Sequence, residues 1–271
     1  MDQQGKEEGG PIIIQWDGGP VDGIIIMRDI IAYILFMHHQ IPLPLDQLEM
    51  SADENIVEIT NCEVPSLPRE RREKLSRMRI VKRELKRRTK LVQNIQTLLS
   101  ALQTASQELS YMPSLLLVLG SSSKQPHAAY EIQFHGASNS HLLAQTEEIQ
   151  DLGKSYSKET ISKRLSKKVI RTLITEDDGP LITGSMNLLL FVRADAASCL
   201  QDFVPNRFFT TESRKIQACL RVIQISETSS LQKPQIAGPC RNEGTSCNSD
   251  VIWFQCKSKV KGGQCRDEDM E

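Results

Sequence analysis

The segment from Val21 to His39 constrains the fold more than any other part of the sequence. It carries apolar side chains on nearly every face, including isoleucines at 24–26, 30, 31 and 34. A helix that is apolar all round is normally buried. Pro20 suits the first helical turn, and Pro42 and Pro44 prevent the helix from continuing. The sequence therefore predicts a central core helix that other elements must enclose.

This apolar segment is too short to cross a bilayer, and it carries Arg28 and Asp29 in its interior. The first ten residues are polar and acidic and lack the pattern of a secretory signal. The seven cysteines, an odd number, are typical of free thiols in a reducing compartment. We therefore expect an intracellular protein without a membrane segment.

A second and longer helix is predicted for residues 70–110. In its second half the apolar residues recur with the period of one helix face: Val92, Ile95, Leu98, Leu99 and Leu102. The window 68–90, in contrast, holds 12 Lys or Arg and only 3 Glu, although the net charge of the whole chain is -1. This distribution predicts a basic ridge on an otherwise acidic protein.

Three interpretations of the basic ridge remain open. It is a solvated helix face that also carries a nuclear import signal, KRELKRR at 82–88, or it binds nucleic acid, or it docks an acidic protein surface. Residues 68–110 contain no aromatic side chain for base stacking, which weighs against binding of single strands. Since KRELKRR resembles a basic import signal, we expect a location in both nucleus and cytoplasm.

The rest of the chain predicts short strands and one more helix. Strands are expected at Ser114–Gly120, Ala129–His135, Ser185–Arg193, Lys215–Ser226 and Val251–Lys257, and a helix at Ser157–Thr175. Because helices and strands do not alternate regularly, the order indicates an α+β fold with an antiparallel sheet. Trp253, inside the last strand, is expected in the core.

The domain organisation follows from these elements. Residues 1–19 are expected to form a flexible tail, although the patch at 12–16 could add a short strand. A single domain is expected to cover residues 20–260, followed by a charged tail at 261–271. Its long loops are placed at 49–68, 136–156 and 227–248.

No constellation in the sequence supports catalysis. Cys240, Cys247, Cys256 and Cys265 are spaced by 7, 9 and 9 positions, whereas zinc ligands usually come in close pairs. Neither a glycine-rich phosphate-binding motif nor a nucleophile elbow occurs. We therefore expect a protein that is not an enzyme and has no cofactor, and a zinc site on these cysteines is the least favoured alternative.

Four short motifs stand in a fixed order among the predicted elements. QIPLP (40–44) follows the core helix, and PSLLLVLG (113–120) follows the long helix. YEI (130–132) comes at hairpin distance, and IWFQ (252–255) closes the fold. In this order, across residues 20–260, the set resembles the comet family, the Mad-binding adapters that silence the spindle checkpoint.

The resemblance implies a HORMA-like fold, in which three helices pack on an antiparallel sheet and a C-terminal segment crosses that sheet. It implies an adapter that binds the closed conformer of a Mad-type HORMA protein. The adapter presents this client to a hexameric AAA+ ATPase of the pachytene-checkpoint type, which remodels it. In meiosis the same machinery can act on chromosome-axis HORMA proteins. No small-molecule substrate is implied.

The resemblance also implies two binding surfaces. The surface for the Mad-type partner comprises Lys86, Lys90, Gln93 and Asn94 on the long helix and Lys167, Val169, Ile170 and Leu173 on the helix after the hairpin. The surface for the ATPase comprises Phe203, Pro205, Asn206, Arg207, Arg214 and Lys215.

Two positions depart from the family pattern. Ile170 stands where the family has a key aromatic residue, so a smaller apolar anchor would fill the partner's pocket. Plain core packing is the competing interpretation of Ile170. Asn206 stands where the family has a lysine, so Arg207, Arg214 and Lys215 would have to supply the positive charge.

Overall fold

The computed structural model of the protein describes residues 10–16, 22–50, 68–109, 114–135, 158–176, 184–227 and 251–262. In chain order, its elements are β1 (Ile12–Trp16), α1 (Gly23–Met37), α2 (Pro68–Glu108), β2 (Ser114–Ser122), β3 (Gln125–His135), α3 (Lys158–Glu176), β4 (Asn187–Asp195), β5 (Phe203–Asn206), α4 (Arg214–Gln217), β6 (Leu220–Glu227), β7 (Val251–Cys256) and β8 (Val260–Lys261). Residues 45–50 form a further short helical stretch. The α+β class and all three long helices are as predicted.

The strands form one sheet in the order β1-β6-β3-β2-β4-β7-β5, with β8 paired to β4 beside β7. The expectation of a purely antiparallel sheet is wrong, because β6 runs parallel to both β1 and β3. The long excursion through α3, β4, β5 and α4 gives the chain room to return in the same direction as β3, as parallel pairing requires. β7, which follows β6 in sequence, lies beyond three intervening strands.

Several boundaries differ from the predictions. β1 belongs to the sheet, so the domain begins before residue 20 and residues 12–16 are not part of a tail. Residues 215–217, predicted as the start of a strand, are helical in α4, and the strand itself begins at Leu220. Most of the three predicted loops, and residues 263–271 of the predicted C-terminal tail, lie outside the described residues.

α1 occupies the centre of the core, as predicted. Ile26, Met27, Ile30, Ile31, Ile34 and Leu35 are all 0% exposed. The helix begins at Asp22, whose carboxylate accepts a hydrogen bond from the Ile24 amide at 2.9 Å, a typical N-cap. It ends before His39, which has a positive φ of 53°. Complete burial of each such side chain stabilises the fold by about 1.5–3 kcal/mol.

α3 packs along one side of α1 through two small buried residues. The Ser162 hydroxyl accepts a hydrogen bond from the Asp22 amide at 2.6 Å, and the Ser166 hydroxyl donates to the Asp29 carboxylate. Because these contacts advance along both chains together, α1 and α3 run in the same direction. Larger side chains at the two serine positions would force the helices apart.

An ion cluster attaches α1 to the helical stretch at 45–50. The Arg28 guanidinium donates to Asp46 at 2.7 Å and to Glu49 at 2.8 Å. Partial burial lowers the pKa of Arg28, but the hydrogen bonds and charges of the two carboxylates raise it by more, so the net shift is upward. The arginine therefore stays charged at any pH at which the protein folds.

Both faces of the sheet are buried in its centre. On β2, Leu115, Leu117 and Leu119 face the helices, whereas Leu116 and Val118 face the other way into a second apolar cluster. Residues 206–219, which include α4, cover this second face and are called the cover segment below. Trp253 lies in the second cluster and is 6% exposed, which confirms its predicted place in the core.

Gln40, buried just after α1, joins the end of this helix to the residues before β4 and to the C-terminal end of the described chain. Its side-chain amide donates to the carbonyls of His38 at 2.6 Å and Gly184 at 3.0 Å, and its carbonyl accepts from the Met186 amide at 2.7 Å. Gly262, near the end of the described chain, packs directly on this side chain. The first residue of QIPLP therefore links α1 by hydrogen bonds to the residues before β4 and by packing to the C-terminal segment. This link is called the Gln40 fastener below.

The close contact between Gln40 and Gly262 gives a test of this fastener. A Cβ atom on residue 262 would lie 2.1 Å from Gln40 Oε1 and 2.9 Å from Gln40 Cβ. We expect Gly262→Ala to lower the free energy of unfolding by about 1–3 kcal/mol, because Gln40 cannot move without losing hydrogen bonds. Urea denaturation followed by circular dichroism measures the loss. Gly10→Ala, with nothing within 4 Å, is the matched control and should leave stability unchanged.

Candidate partner-binding surfaces

The first half of α2 extends away from the core as a basic helix. Its described side chains include no buried residue before Leu91, so about 30 Å of helix is in contact with solvent. The exposed cationic residues described there are Arg72, Arg77, Arg79, Lys82, Arg83, Lys86, Arg87 and Lys90. Glu84 lies 3.6 Å from Arg87 and 3.5 Å from Arg88, and neutralises the ridge only locally.

The predicted partner residues of α2 lie where this basic helix meets the core. Lys86, Lys90 and Gln93 are exposed, and Asn94 is half-buried. Leu91 and Ile95, on the opposite side of the same turns, enter the core. The four predicted residues therefore form an accessible strip on a helix that is firmly anchored by its other face.

On α3 the predicted set divides into two environments. Val169 and Leu173 are both 0% exposed and belong to the core, so they hold α3 on the sheet instead of contacting a partner. Lys167 is exposed, and Ile170 is half-buried, with part of its side chain against the core. One part of the Ile170 side chain thus packs in the core and the other part is accessible to solvent.

Ile174 is an accessible apolar residue that the prediction missed. It lies one helical turn after Ile170 and is 61% exposed. Residues four positions apart on a helix share a face, so the spacing of the two isoleucines was an available signal. Together with Lys167 they form a short apolar and basic strip along α3.

The electrostatic character of α3 is also basic. Lys163, Lys167, Lys168 and Arg171 are exposed. The hydrogen bond and charge of Lys163, whose Nζ lies 2.5 Å from Glu159 Oε1, lower the pKa of Glu159, and Glu159 raises the pKa of Lys163 in return. Since α2 and α3 both pack against α1, the two predicted groups belong to one helical layer, separated by α1.

The predicted ATPase surface lies on β5, an edge strand of the sheet, and on the cover segment, which packs on the side away from the helices. Pro205 and Arg207 are exposed, Asn206 is half-buried, and Arg214 and Lys215 are exposed on α4. Phe203 is only 4% exposed and packs in the cluster beneath the helices, so the expectation that it contacts a partner is wrong. Its role is to fix β5 in place.

Phe209 attaches the cover segment to the sheet. Its ring stacks on Phe191 with centroids 4.3 Å apart and meets Trp253 edge-on at 6.3 Å. Its amide donates to the carbonyl of Asn206 at 3.2 Å, which closes a tight turn. Ile216 of α4, 3% exposed, packs in the same cluster. The outer side of the segment is therefore presented on a fixed backbone.

Phe208 is the residue of this surface that the prediction missed. It is fully exposed, at 100%, although both its ring size and its apolar character favour burial. Val204, on β5, is 50% exposed. Three phenylalanines occur between residues 203 and 209, and no sequence signal distinguishes the exposed one from the two that pack.

The described residues contain no group of three or more side chains that could hold a metal ion. Cys256 lies in β7, as predicted, and is its last residue. It is 3% exposed, and burial raises the pKa of its thiol. Burial likewise raises the pKa of Cys219. The other three cysteines considered for zinc lie outside the described residues. Within the described part of the chain, no helix is long and apolar enough to cross a membrane.

Neither the models of protein families nor the curated proteins include a match to this sequence.

The stacking of Phe209 predicts a stability effect that Phe208 should lack. Phe209→Ala removes both ring contacts and opens the second face of the sheet, so we expect a loss of about 2–3 kcal/mol in the free energy of unfolding. Thermal denaturation of the purified variants measures it. Phe208→Ala is the adjacent control, and an equal loss in that variant would contradict the arrangement of the cover segment.

Proposed function

We propose that this protein is a non-catalytic adapter. It binds the closed conformer of a Mad-type HORMA protein and delivers it to a pachytene-checkpoint AAA+ ATPase for remodelling, which silences the spindle checkpoint. The ordered motifs QIPLP, PSLLLVLG, YEI and IWFQ support this assignment. We extend the proposal to the HORMA proteins of the meiotic chromosome axis, because they belong to the same class of client. We also propose a location in nucleus and cytoplasm, because residues 82–88 resemble a basic import signal.

The observation that carries the proposal is the placement of the two surfaces. The strips on α2 and α3 belong to the helical layer on one face of the sheet, whereas the cover segment lies on the other face. Partners on opposite faces do not compete for the same side chains. Such a protein can hold a client and an ATPase at the same time, which is the geometric requirement of an adapter.

Ile170 and Ile174 are the proposed apolar anchors for the client. Together they offer an apolar strip with Lys167 at its border. Binding energy at protein interfaces is concentrated in a few well-packed side chains surrounded by polar contacts. Lys86, Lys90 and Gln93 would then supply the polar contacts from α2.

The ATPase contact is assigned to the outer side of the cover segment and β5. Pro205 and Asn206 form the end of β5, and Arg207 follows directly. Asn206 cannot supply the charge of the family lysine, but Arg207, Arg214 and Lys215 are all exposed. We therefore propose that these three cations replace it.

The client surface predicts the effect of one substitution. Ile170→Arg introduces a charge where an apolar group is expected to enter the partner, and we expect binding of a closed Mad-type protein to weaken at least about 30-fold. Isothermal titration calorimetry with the purified partner measures this change. Ile13→Arg, at an isoleucine of β1 that is 56% exposed, is the matched control and should bind normally.

Unchanged binding by Ile170→Arg would show that the assigned face is wrong. A second readout tests the adapter role itself. Wild-type protein should form a ternary complex with client and ATPase in size-exclusion chromatography, whereas the Ile170→Arg variant should retain only the ATPase. Mutually exclusive binding of the two partners would contradict the proposed use of opposite faces.

The exposed cations of α2 favour a second candidate function, nucleic-acid binding. If about six of them contact phosphates of duplex DNA, affinity should fall on the order of 1,000-fold between 50 and 200 mM salt, because bound counterions are released. Fluorescence anisotropy with a labelled duplex measures the slope. Replacing Lys82, Arg83 and Lys86 with Gln should reduce the slope of affinity against salt concentration. Lys124→Gln, on the β2–β3 turn, should leave this slope unchanged. Absence of binding at low salt would remove this candidate.

A further inference from the structure

The structure places one aromatic side chain in an unfavourable position for an isolated protein. Phe208 is 100% exposed, although the residues on both sides of its turn are fixed. Asn206 pairs with Trp253 across β5 and β7, and Phe209 is stacked on Phe191. The backbone on both sides of Phe208 is thus held by these contacts, and the ring between them lies in solvent.

The segment that carries Phe208 also exposes a second apolar side chain and several charged ones. Val204, on β5, is 50% exposed. Arg207 precedes the ring, and the cover segment also exposes Arg214, Lys215 and one acidic residue, Glu212. A protruding aromatic group on a segment of net positive charge complements an apolar pocket bordered by carboxylates.

We propose that Phe208 is the anchor through which the cover segment docks on the AAA+ ATPase, inserting its ring into an apolar pocket bordered by acidic side chains. This inference rests on the proposed function and assigns its ATPase contact to a residue outside the set that the resemblance implies. Phe203 is buried and cannot make that contact. The turn that carries Phe208 is already held by the stacking of Phe209 and by the hydrogen bond to Asn206, so docking does not have to order this backbone, which favours affinity.

Two other occupants fit these observations less well. A second copy of the chain, docked symmetrically, would bring Arg207, Arg214 and Lys215 close to their own counterparts, which like-charge repulsion opposes. A lipid surface would need several inserted apolar groups for stable binding, and the exposed large apolar residues described on β5 and the cover segment are Val204 and Phe208 alone.

The test measures binding of the full-length protein to the ATPase hexamer. The hexamer is held with a non-hydrolysable ATP analogue and titrated into fluorescently labelled adapter. We expect Phe208→Ala to weaken binding at least about 30-fold, as for an interface anchor, and Phe208→Leu to lose less because it keeps an apolar side chain. Met50→Ala, at a methionine that is 64% exposed and lies outside the cover segment, should bind as wild type. Circular dichroism should show that Phe208→Ala is folded, and its binding to the Mad-type client should be unchanged.

Each outcome separates this inference from the proposed function. If wild type and Phe208→Ala bind the ATPase equally, the inference is overturned and the adapter role stands. If wild type does not bind the ATPase at all, the proposed function fails and the inference with it. Sedimentation showing a dimer that Phe208→Ala dissociates would identify a second copy as the occupant. Co-sedimentation of wild type, but not Phe208→Ala, with anionic vesicles would identify a lipid surface, and either result overturns the inference.

Discussion

The structure depends on keeping α1 out of water. A helix whose side chains are apolar on nearly every face is stable only when most of those side chains are covered, and in α1 the exposed apolar residues are Phe36 and Met37 at its end. The sheet covers one face, α3 and α2 cover the flanks, and the stretch at 45–50 is attached through Arg28. The outward-facing parts of α2 and α3 are therefore positioned by a core requirement, and their surface chemistry is free to vary without loss of the fold.

Much of this arrangement is readable from the sequence, because the relevant signals are local. The apolar run of α1, the continuous apolar run of β2 and the aromatic end strand β7 each indicate burial without reference to any other element. The direction of β6, in contrast, cannot be predicted from its local sequence. The sequence of Leu220–Glu227 is compatible with pairing in either direction. The strand runs parallel to β3 because α4, which directly precedes it, places its first residue beside Ala129, in the first half of β3. Such pairing is decided by the tertiary structure.

Local sequence also fails to predict the burial of some single residues in the candidate surfaces. Phe203, Phe208 and Phe209 are chemically identical and nearly adjacent, yet the first packs under the helices, the second lies in solvent and the third stacks on the opposite face. Residue type predicts the average burial of a phenylalanine and not the burial of a particular one. On α3, by contrast, the helical period does separate the core positions Val169 and Leu173 from Ile170 and Ile174, so that part of the site was accessible to a stricter reading of the pattern.

The Gln40 fastener has a consequence for biosynthesis. α1 emerges early from the ribosome, but β7, β8 and Gly262, which packs on Gln40, are made about 220 residues later. At 5–20 residues per second, this delay is on the order of 10 to 40 seconds. Throughout that interval the most apolar helix of the protein lacks part of its cover. The nascent chain is therefore a natural substrate for chaperones that shield apolar segments until the last strand arrives.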